Sequence, residues 1–397
     1  MRRFILGLVL VAAAAPLARG QQPPLTSPAD EEPRPVTAEE IARLRREIEH
    51  ETRSSVELLF DEHGESGDVN NELSFLRYGV RLNLKRGSDT TFHLSFRDTP
   101  YRMQGNLIKE SGLSFALGAR AKKSERVEYQ WELGGTRFSN DAWDVTGLLS
   151  VAVQASDKLR YTIGASRSSV EESLLSATGL LPSQGPFAGQ RVGTVSDNRA
   201  SLGLSWQLPA QFDLVGEAAL GARTGSHVGT NAFGRVGGGP GWNAVARSPE
   251  NPLSLLRLGG WLEYFSFADD RLGYGGASWI DLEGQPVAPE ALGSDGISPE
   301  PSPTNPGVGG YFSPSRFFGA ALRLEIRGRP SPSVEYSLSG SLGTQSFTGS
   351  DQKRAAGVAA SLTLNRGNRL SLPLAFQWDD YGPFKQHLFQ ARLVLLF

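Results

Sequence analysis

The residues best suited to chemistry in this sequence are charged, amide and aromatic side chains that recur at every second position of several segments. Successive side chains of a β-strand point to opposite faces, so each series would lie on one face of a strand. Full charges in this number are too costly for a packed core, whereas a water-filled lumen holds them readily. We therefore predict that they line a pore. The candidates are Arg77, Arg81, Glu128, Gln130, Glu132, Arg257, Trp261, Glu263, Phe265, Arg323, Glu325, Arg327 and Glu335.

Other kinds of chemistry find little support in the sequence. The chain has no cysteine, which excludes disulfides, thiolate metal sites and cysteine nucleophiles. Its five histidines show no metal-binding spacing, and no Gly-x-Ser-x-Gly nucleophile motif is present. A formal net charge of −2 leaves no basic footprint for nucleic acid. We predict that the protein is not an enzyme, needs no cofactor or metal, and binds no nucleic acid.

The first part of the chain indicates export and spacer sequences rather than a folded domain. A positively charged start, an apolar run and small residues at its end make 1–20 typical of a cleaved secretory signal, with a membrane anchor as the alternative. Residues 21–36 form a linker rich in proline and acid. A capping box then predicts one short helix over 37–54, which would lie in the periplasm. Residues 55–397 would form a single domain.

Beyond residue 55, long segments alternate strictly between apolar and polar side chains. A soluble sandwich also alternates, but these strands are long, and their apolar faces often finish in aromatics such as Trp131, Trp206 and Trp378. A tilted strand that crosses a bilayer needs about 9–11 residues and has aromatic girdles at both interfaces. We predict an all-β fold, a transmembrane antiparallel β-barrel of the bacterial outer membrane with lipid on its outer face.

The number of strands follows from the positions of the short turns. Alternation indicates fifteen strands, whereas bacterial barrels of this kind have an even number. Short turns follow every second strand, but the phase reverses after residue 252, so one strand is missing between 224 and 252. We place it near 225–235 and predict 16 strands, with 14 as the alternative. Both termini would then be periplasmic, and 168–197 and 268–316 would be outer loops.

The end of the chain resembles the assembly signal of bacterial outer-membrane barrels. A terminal aromatic closes an alternating strand there, which implies recognition by the barrel assembly machinery. The residues of this predicted signal are Phe389, Leu393, Leu395 and Phe397.

A second resemblance rests on a hexapeptide and on the region 258–276, which contains Tyr-Phe and Arg-Leu-Gly-Tyr. Both are similar to the C-terminal domain of cellulose synthase operon protein C, which implies a sixteen-strand outer-membrane barrel through which a nascent polysaccharide leaves the cell. Members of that family usually carry tetratricopeptide repeats before the barrel, but no 34-residue period precedes this one. Either a separate periplasmic scaffold would then recruit the inner-membrane polysaccharide synthase, or the polymer would be one other than cellulose. The hexapeptide is Gly309, Gly310, Tyr311, Phe312, Ser313 and Pro314.

These observations together predict a channel that exports an exopolysaccharide, cellulose or a related glucan, as a polysaccharide chain in the lumen. The alternatives are a structural or adhesin-type barrel with a plugged lumen and a small-solute porin. Two pairs of aromatic residues leave their roles open. Trp261 and Phe265 would either contact sugar or pack against a loop, and Tyr311 and Phe312 would either contact sugar or hold the junction between a loop and a strand.

Overall fold

The computed structural model describes most of the chain beyond the N-terminal segments. The predicted signal 1–20, the linker 21–36 and all but the last two residues of the predicted helix 37–54 lie outside the described residues. The described residues are 53–66, 73–103, 108–139, 141–179, 189–245, 253–269, 311–331, 333–348, 350–367, 369–381 and 385–397.

Sixteen antiparallel strands form one closed barrel. Every strand pairs with its neighbours in sequence, and the first strand closes the ring by pairing with the last, Val56 opposite Leu395. The predicted count of 16 is therefore confirmed, and the alternative of 14 is wrong. The strands are β1 Ser55–Ser66, β2 Leu73–Arg86, β3 Thr90–Met103, β4 Ile108–Ser124, β5 Val127–Phe138, β6 Trp143–Ser156, β7 Leu159–Ser169, β8 Gly193–Gln207, β9 Phe212–Ser226, β10 Val228–Asn243, β11 Leu253–Phe267, β12 Phe317–Ser331, β13 Val334–Phe347, β14 Ser350–Arg366, β15 Leu370–Asp380 and β16 Lys385–Leu396.

The strand that alternation did not reveal is β10, and it lies in the predicted gap of 224–252. It runs from 228 to 243 and so extends beyond the predicted 225–235. Six of its residues are glycine and one is Pro240, so it has too few side chains to show a period of two. Its backbone nevertheless pairs with β9 along nearly its whole length and with β11 from Phe233 to Asn243. His227 alone connects β9 to β10, in a left-handed conformation with φ of 52°. Hydrogen bonding of the main chain, rather than side-chain patterning, defines this strand.

The outer loop predicted over 168–197 is shorter in the structure. β7 continues to Ser169 and β8 begins at Gly193, with Ser168 opposite Asp197 in the ladder. These strand ends are polar, because a strand that extends past the bilayer needs no apolar face there. The connection is therefore 170–192. It contains helix α1, Leu174–Thr178, whereas the long connection 268–316 keeps its predicted bounds.

The two faces of the barrel differ sharply in chemistry. Large apolar side chains on the outer face are strongly exposed, including Leu220 at 72%, Leu322 at 75% and Leu342 at 67%. Aqueous solvent would not support such a surface, but hydrocarbon chains of lipid would. Within the described residues, no helix is both long and apolar enough to cross a membrane.

Packed apolar residues lie at one end of the barrel, which we call the loop end because it has the two longest connections, 170–192 and 268–316. The opposite end, with both Ser55 and Leu396, is the turn end. Two clusters of buried side chains join α1 and the neighbouring loop residues to the inner wall. The first contains Leu73, Phe75, Tyr101, Phe138, Ala142, Leu174, Ala177 and Val192, and the second contains Val170, Val195, Val228, Phe267 and Tyr311.

Candidate functional site

The inner wall of the barrel is the candidate site, because the predicted pore-lining residues converge there. Each of them alternates along its strand with exposed apolar residues of the outer face, for example with Trp131 in β5 and Leu258 in β11. The strand register brings several together: Arg257 lies opposite Glu325, and Gly259 lies opposite Arg323. The wall formed by β9 to β12 therefore contains most of the predicted residues that contact one another.

Ion pairs connect the charged residues of this wall. Arg257 binds Asp213 through two nitrogen atoms, with Nη2 2.6 Å from Oδ1 and Nε 2.9 Å from Oδ2. Arg235 lies between two carboxylates, 3.1 Å from Glu217 and 2.8 Å from Glu263. A guanidinium that binds a carboxylate with two nitrogens is held in a fixed orientation. Arg257 and Arg235 thus each have a partner of the opposite sign in place.

Trp261 lies in the middle of the same wall and stacks with a guanidinium. The Arg323 guanidinium carbon is 4.1 Å from the centre of the Trp261 ring. Gly237 leaves the space that the ring occupies, since a Cβ there would approach the indole to 2.9 Å. The indole Nε1 is buried and has no acceptor among the described residues. The stack forms a flat, amphipathic surface on a wall that is otherwise ionic.

Phe265, which we predicted beside Trp261, lies in a different environment. Its ring stacks on Phe317 at a centroid distance of 4.3 Å and meets Phe267 edge to face at 6.3 Å. It packs against the second buried cluster at the loop end. This contact matches the loop-packing interpretation, and Trp261 has no comparable aromatic neighbour among the described residues.

The other predicted pore-lining residues form smaller groups around the ring. Glu128 pairs with Arg120 and is 3.9 Å from Arg160, and Glu132 is 2.7 Å from His93 Nε2. Near the turn end, Arg327 pairs with Glu325, while Glu335 is 3.2 Å from Arg329. Gln130 lies on the same inner face of β5 as Glu128 and Glu132. Arg77 and Arg81 lie on β2, and Arg77 takes part in the arrangement at the loop end.

Two acidic residues of the loop before α1 bind the inner wall, and sequence analysis did not identify them. Glu171 accepts hydrogen bonds from Arg77 Nη2 at 2.5 Å and from the Tyr101 hydroxyl at 2.9 Å. Glu172 pairs with Arg223 at 2.8 Å and accepts a hydrogen bond from the Phe312 backbone N–H at 2.6 Å. Two adjacent acids in a serine-rich loop are a weak signal in sequence, because nothing there names their partners.

The positions of these partners place the loop across the mouth of the barrel. Arg77 is on β2 and Arg223 is on β9, which are seven strands apart in a ring of sixteen. Half the ring is eight strands, so the two arginines lie on nearly opposite walls. Glu171 and Glu172 are adjacent in sequence, and each contacts a different wall. This part of the loop therefore lies across the lumen, between the two walls. We call residues 170–179 the crossing loop.

The described part of the hexapeptide supports this loop. Tyr311 is 2% exposed, with its ring 4.8 Å from the Arg223 guanidinium and 6.2 Å from the Phe267 ring. Phe312 meets Phe347 edge to face at 5.2 Å. Gly309 and Gly310 lie outside the described residues. The two aromatic rings are engaged in packing at a junction between loop and strand, where Tyr311 is buried and Phe312 is partly buried.

Two adjacent acids at the loop end of β15, Asp379 and Asp380, contact neighbouring side chains. Asp379 accepts a hydrogen bond from Gln377 at 2.6 Å, and Asp380 is 3.6 Å from Lys385. Burial raises the pKa of the adjacent Tyr381 to about 12, so this phenol stays protonated at neutral pH. In the part of the chain that the structure describes, no three acidic or histidine side chains are grouped to hold a metal ion.

The predicted assembly signal extends from the middle of the closing strand to its turn end. Its apolar residues share the outer face, where Phe389 meets Phe60 edge to face at 6.3 Å. Phe397 is 64% exposed, and its N–H donates to the Ser54 carbonyl at 3.0 Å. Leu393 and Leu395 complete the series opposite β1. Recognition by the assembly machinery remains a prediction.

Comparison with known proteins identifies a family. The sequence matches the family model described as the C-terminus of cellulose synthase operon protein C over residues 70–276 and 302–366. No curated protein sequence matches it. A solved structure titled bacterial polysaccharide outer membrane secretin is similar, with a TM-score of 0.59 and 11% identity over 88% of this chain and 99% of that chain. OccK11 (OpdR) of Pseudomonas aeruginosa gives a TM-score of 0.41 and 10% identity over 87% of this chain and 96% of that chain. At such identities these structures show likeness of fold alone.

Proposed function

The chain belongs to the family of the cellulose synthase operon protein C C-terminus, and from this premise we propose that it is an outer-membrane channel that exports an exopolysaccharide. We propose cellulose or a related glucan as the cargo. The barrel would lie in the outer membrane with its N-terminus in the periplasm, surrounded by lipid and inserted by the assembly machinery. An inner-membrane synthase would drive the polymer outward, with a separate periplasmic scaffold between the two.

The observation that carries this proposal is the paired charge of the inner wall. Asp213 with Arg257, and Arg235 with Glu217 and Glu263, give a polar surface without a strong net field. A neutral glucan has many hydroxyl groups and no charge, so it can exchange hydrogen bonds with such a wall without being held by attraction of one sign. The Trp261–Arg323 stack adds a flat surface of the kind that contacts the apolar face of a sugar ring.

A second candidate, a plugged structural barrel, is favoured by the crossing loop. The loop is attached to both walls, and helix α1 packs in the first buried cluster. An export channel must release this loop, whereas a plugged barrel would keep it. A small-solute porin is less compatible, because such a pore would have to conduct with the loop in place.

The test of the proposed function is blockade by a neutral oligosaccharide. In planar bilayers, cellohexaose added to one side should interrupt the ionic current of a channel that conducts a glucan. Trp261→Ala should weaken this blockade several-fold, because it removes the flat surface. Trp206→Ala is the matched control, since Trp206 is 45% exposed on the outer face. The proposal would be contradicted if cellohexaose left the ionic current unchanged and cells lacking the protein secreted the polymer normally.

A further inference from the structure

Two arginines lie on the inner wall formed by β2 and β3. Unlike the arginines of the ion pairs described above, they have no carboxylate partner among the described residues. Arg81 is on β2 and Arg97 is on β3, both facing inward because they alternate with the exposed Val80 and Phe96. We infer that Arg81 and Arg97 form an oxyanion-binding site that takes a carboxylate or phosphate group. This inference rests on the proposed function, since the carboxylate or phosphate would be a substituent of the passing polymer or a free anion in the lumen.

The register places the two side chains next to each other. Arg81 lies opposite Ser95, and Arg97 lies opposite Gly79, so the arginines are diagonal neighbours on adjacent strands. Diagonal neighbours on one face are about 7–8 Å apart at their α-carbons, within reach of one ligand for side chains this long. A Cβ at Gly79 would meet the Arg97 Cα and Cγ at 2.9 Å, so glycine leaves room for the start of the Arg97 side chain.

Neither guanidinium has all of its N–H groups satisfied within the described part of the chain. The Nε atoms of Arg81 and Arg97 are both buried and have no hydrogen-bond acceptor there. No carboxylate of the described residues lies within ion-pairing distance of either side chain. The positive charges of Arg77 and Arg81 both act on Arg97, so like charges are concentrated at this point of the wall.

The acids nearest to the pair accept their hydrogen bonds from other side chains. Asp61 accepts a hydrogen bond from Gln390 at 3.1 Å, and Glu57 accepts one from Asn83 at 2.6 Å. Glu132 is 2.7 Å from His93, and Glu171 binds Arg77. The fields of Asp61 and Glu132 reach Arg97 only from a distance. At this point of the wall, the described residues therefore provide two guanidinium groups and no carboxylate acceptor for them.

Chemistry identifies the ligand class. A buried donor without an acceptor is costly, more so when it is charged, and native structures keep few of them. A guanidinium presents a planar fork of N–H groups that matches the two oxygens of a carboxylate or a phosphate. A neutral sugar would satisfy the hydrogen bonds but not the charge. An oxyanion satisfies both, which is why we assign the site to this class.

Calorimetric titration of the purified barrel in detergent tests the site without any need for transport. We use inorganic phosphate, a glucuronic acid oligomer and cellohexaose as three separate probes. Phosphate should bind at low salt with affinity that falls as salt rises. Arg81→Gln and Arg97→Gln should each lower that affinity tenfold or more, because each removes charge-assisted hydrogen bonds. Arg137→Gln is the control: this arginine is 60% exposed, pairs with Asp141 and is remote from the site.

The outcomes distinguish three questions: whether the site exists, where its anion comes from, and whether the proposed function holds. Binding of phosphate and of the glucuronic acid oligomer supports an anionic substituent on the polymer, whereas binding of phosphate alone supports a free anion. Arg81→Lys should retain weak binding, because it keeps the charge and loses the fork. Phosphate affinity that is unchanged in both glutamine variants, or equal and salt-independent binding of cellohexaose, would overturn the inference. Heat-modifiable migration of each variant on a detergent gel checks that the barrel has folded, and blockade by cellohexaose tests export separately.

Discussion

Replacing Glu171 and Glu172 by glutamine should release the crossing loop and open the mouth of the barrel. The two carboxylates hold the loop by four contacts: Arg77 and Tyr101 donate to Glu171, and Arg223 and the Phe312 N–H donate to Glu172. Glutamine keeps the size of glutamate and removes its charge. The double variant therefore changes the attachment of the loop and leaves the sixteen-strand ladder intact.

The size of the effect follows from these contacts. A hydrogen bond to a charged group contributes about 1.5–3 kcal/mol, against about 0.5–1.5 kcal/mol for a neutral one. The difference over four contacts is about 4–6 kcal/mol, and we expect about half of it because Glu172 is 36% exposed and water screens its charge. A loss of about 2–3 kcal/mol raises the ratio of open to closed loop by about 30- to 150-fold.

Single-channel recording in planar bilayers measures this ratio directly. The wild-type protein should conduct rarely, and the double variant should show long openings with the same unit conductance. Asp141→Asn is the control, because Asp141 is an acid at the same end whose side chain is 83% exposed and pairs with Arg137. If the wild type conducts continuously, or if the double variant opens no more often than the control, the crossing loop does not close the lumen.

Three further predictions concern topology, faces and assembly. On whole cells, a single cysteine in place of Ser183 should react with an impermeant thiol reagent, and a single cysteine in place of Ser156 should not. The reverse result would mean that the barrel has the opposite orientation in the membrane. Leu324→Arg should destabilise the barrel by about 2–4 kcal/mol at the bilayer midplane, whereas Arg323→Gln should leave assembly intact, as judged by heat-modifiable migration; the opposite ranking would exchange the two faces. Deleting Phe397 should reduce the yield of folded barrel while the secreted amount stays constant, and an unchanged folded yield would remove this residue from the assembly signal.

The fold could be predicted from the sequence, because apolar and polar side chains alternate along most strands of the barrel. Strands such as β5, with Tyr129, Trp131 and Leu133 outside, alternate clearly, and the parity of the short turns supplied the strand that alternation missed. β10 itself could not be read from side chains, since its glycines leave no apolar face. The polar ends of β7 and β8 were missed for a related reason, because backbone pairing continues there without any apolar signal.

The candidate site was predicted only in part, and the part that was missed depends on tertiary contact. Alternation identifies which residues of β11 and β12 share the inner face, so Arg257, Trp261 and Arg323 could be named beforehand. It cannot tell which loop enters the lumen or which acid meets which arginine. Glu172 and Arg223 are 51 positions apart in sequence, and only closure of the ring brings the loop to the wall of β9. Contacts of this kind carry no local pattern.

The crossing loop and the arginines of β2 and β3 are energetically connected through Arg77. In the closed arrangement, Glu171 neutralises Arg77, while Arg81 and Arg97 remain without a partner among the described residues. When the loop leaves, Arg77 loses its carboxylate and adds a third positive charge to the same wall, which makes that wall a stronger site for an oxyanion. An anion that binds the open wall more tightly must shift the loop toward opening, because two linked equilibria act on each other by the same factor. The wall would therefore have two sources of negative charge, the carboxylate of its own loop on Arg77 and an anion from the lumen on Arg81 and Arg97. Tighter binding of the anion to the open wall would lower the cost of opening the channel as its cargo arrives.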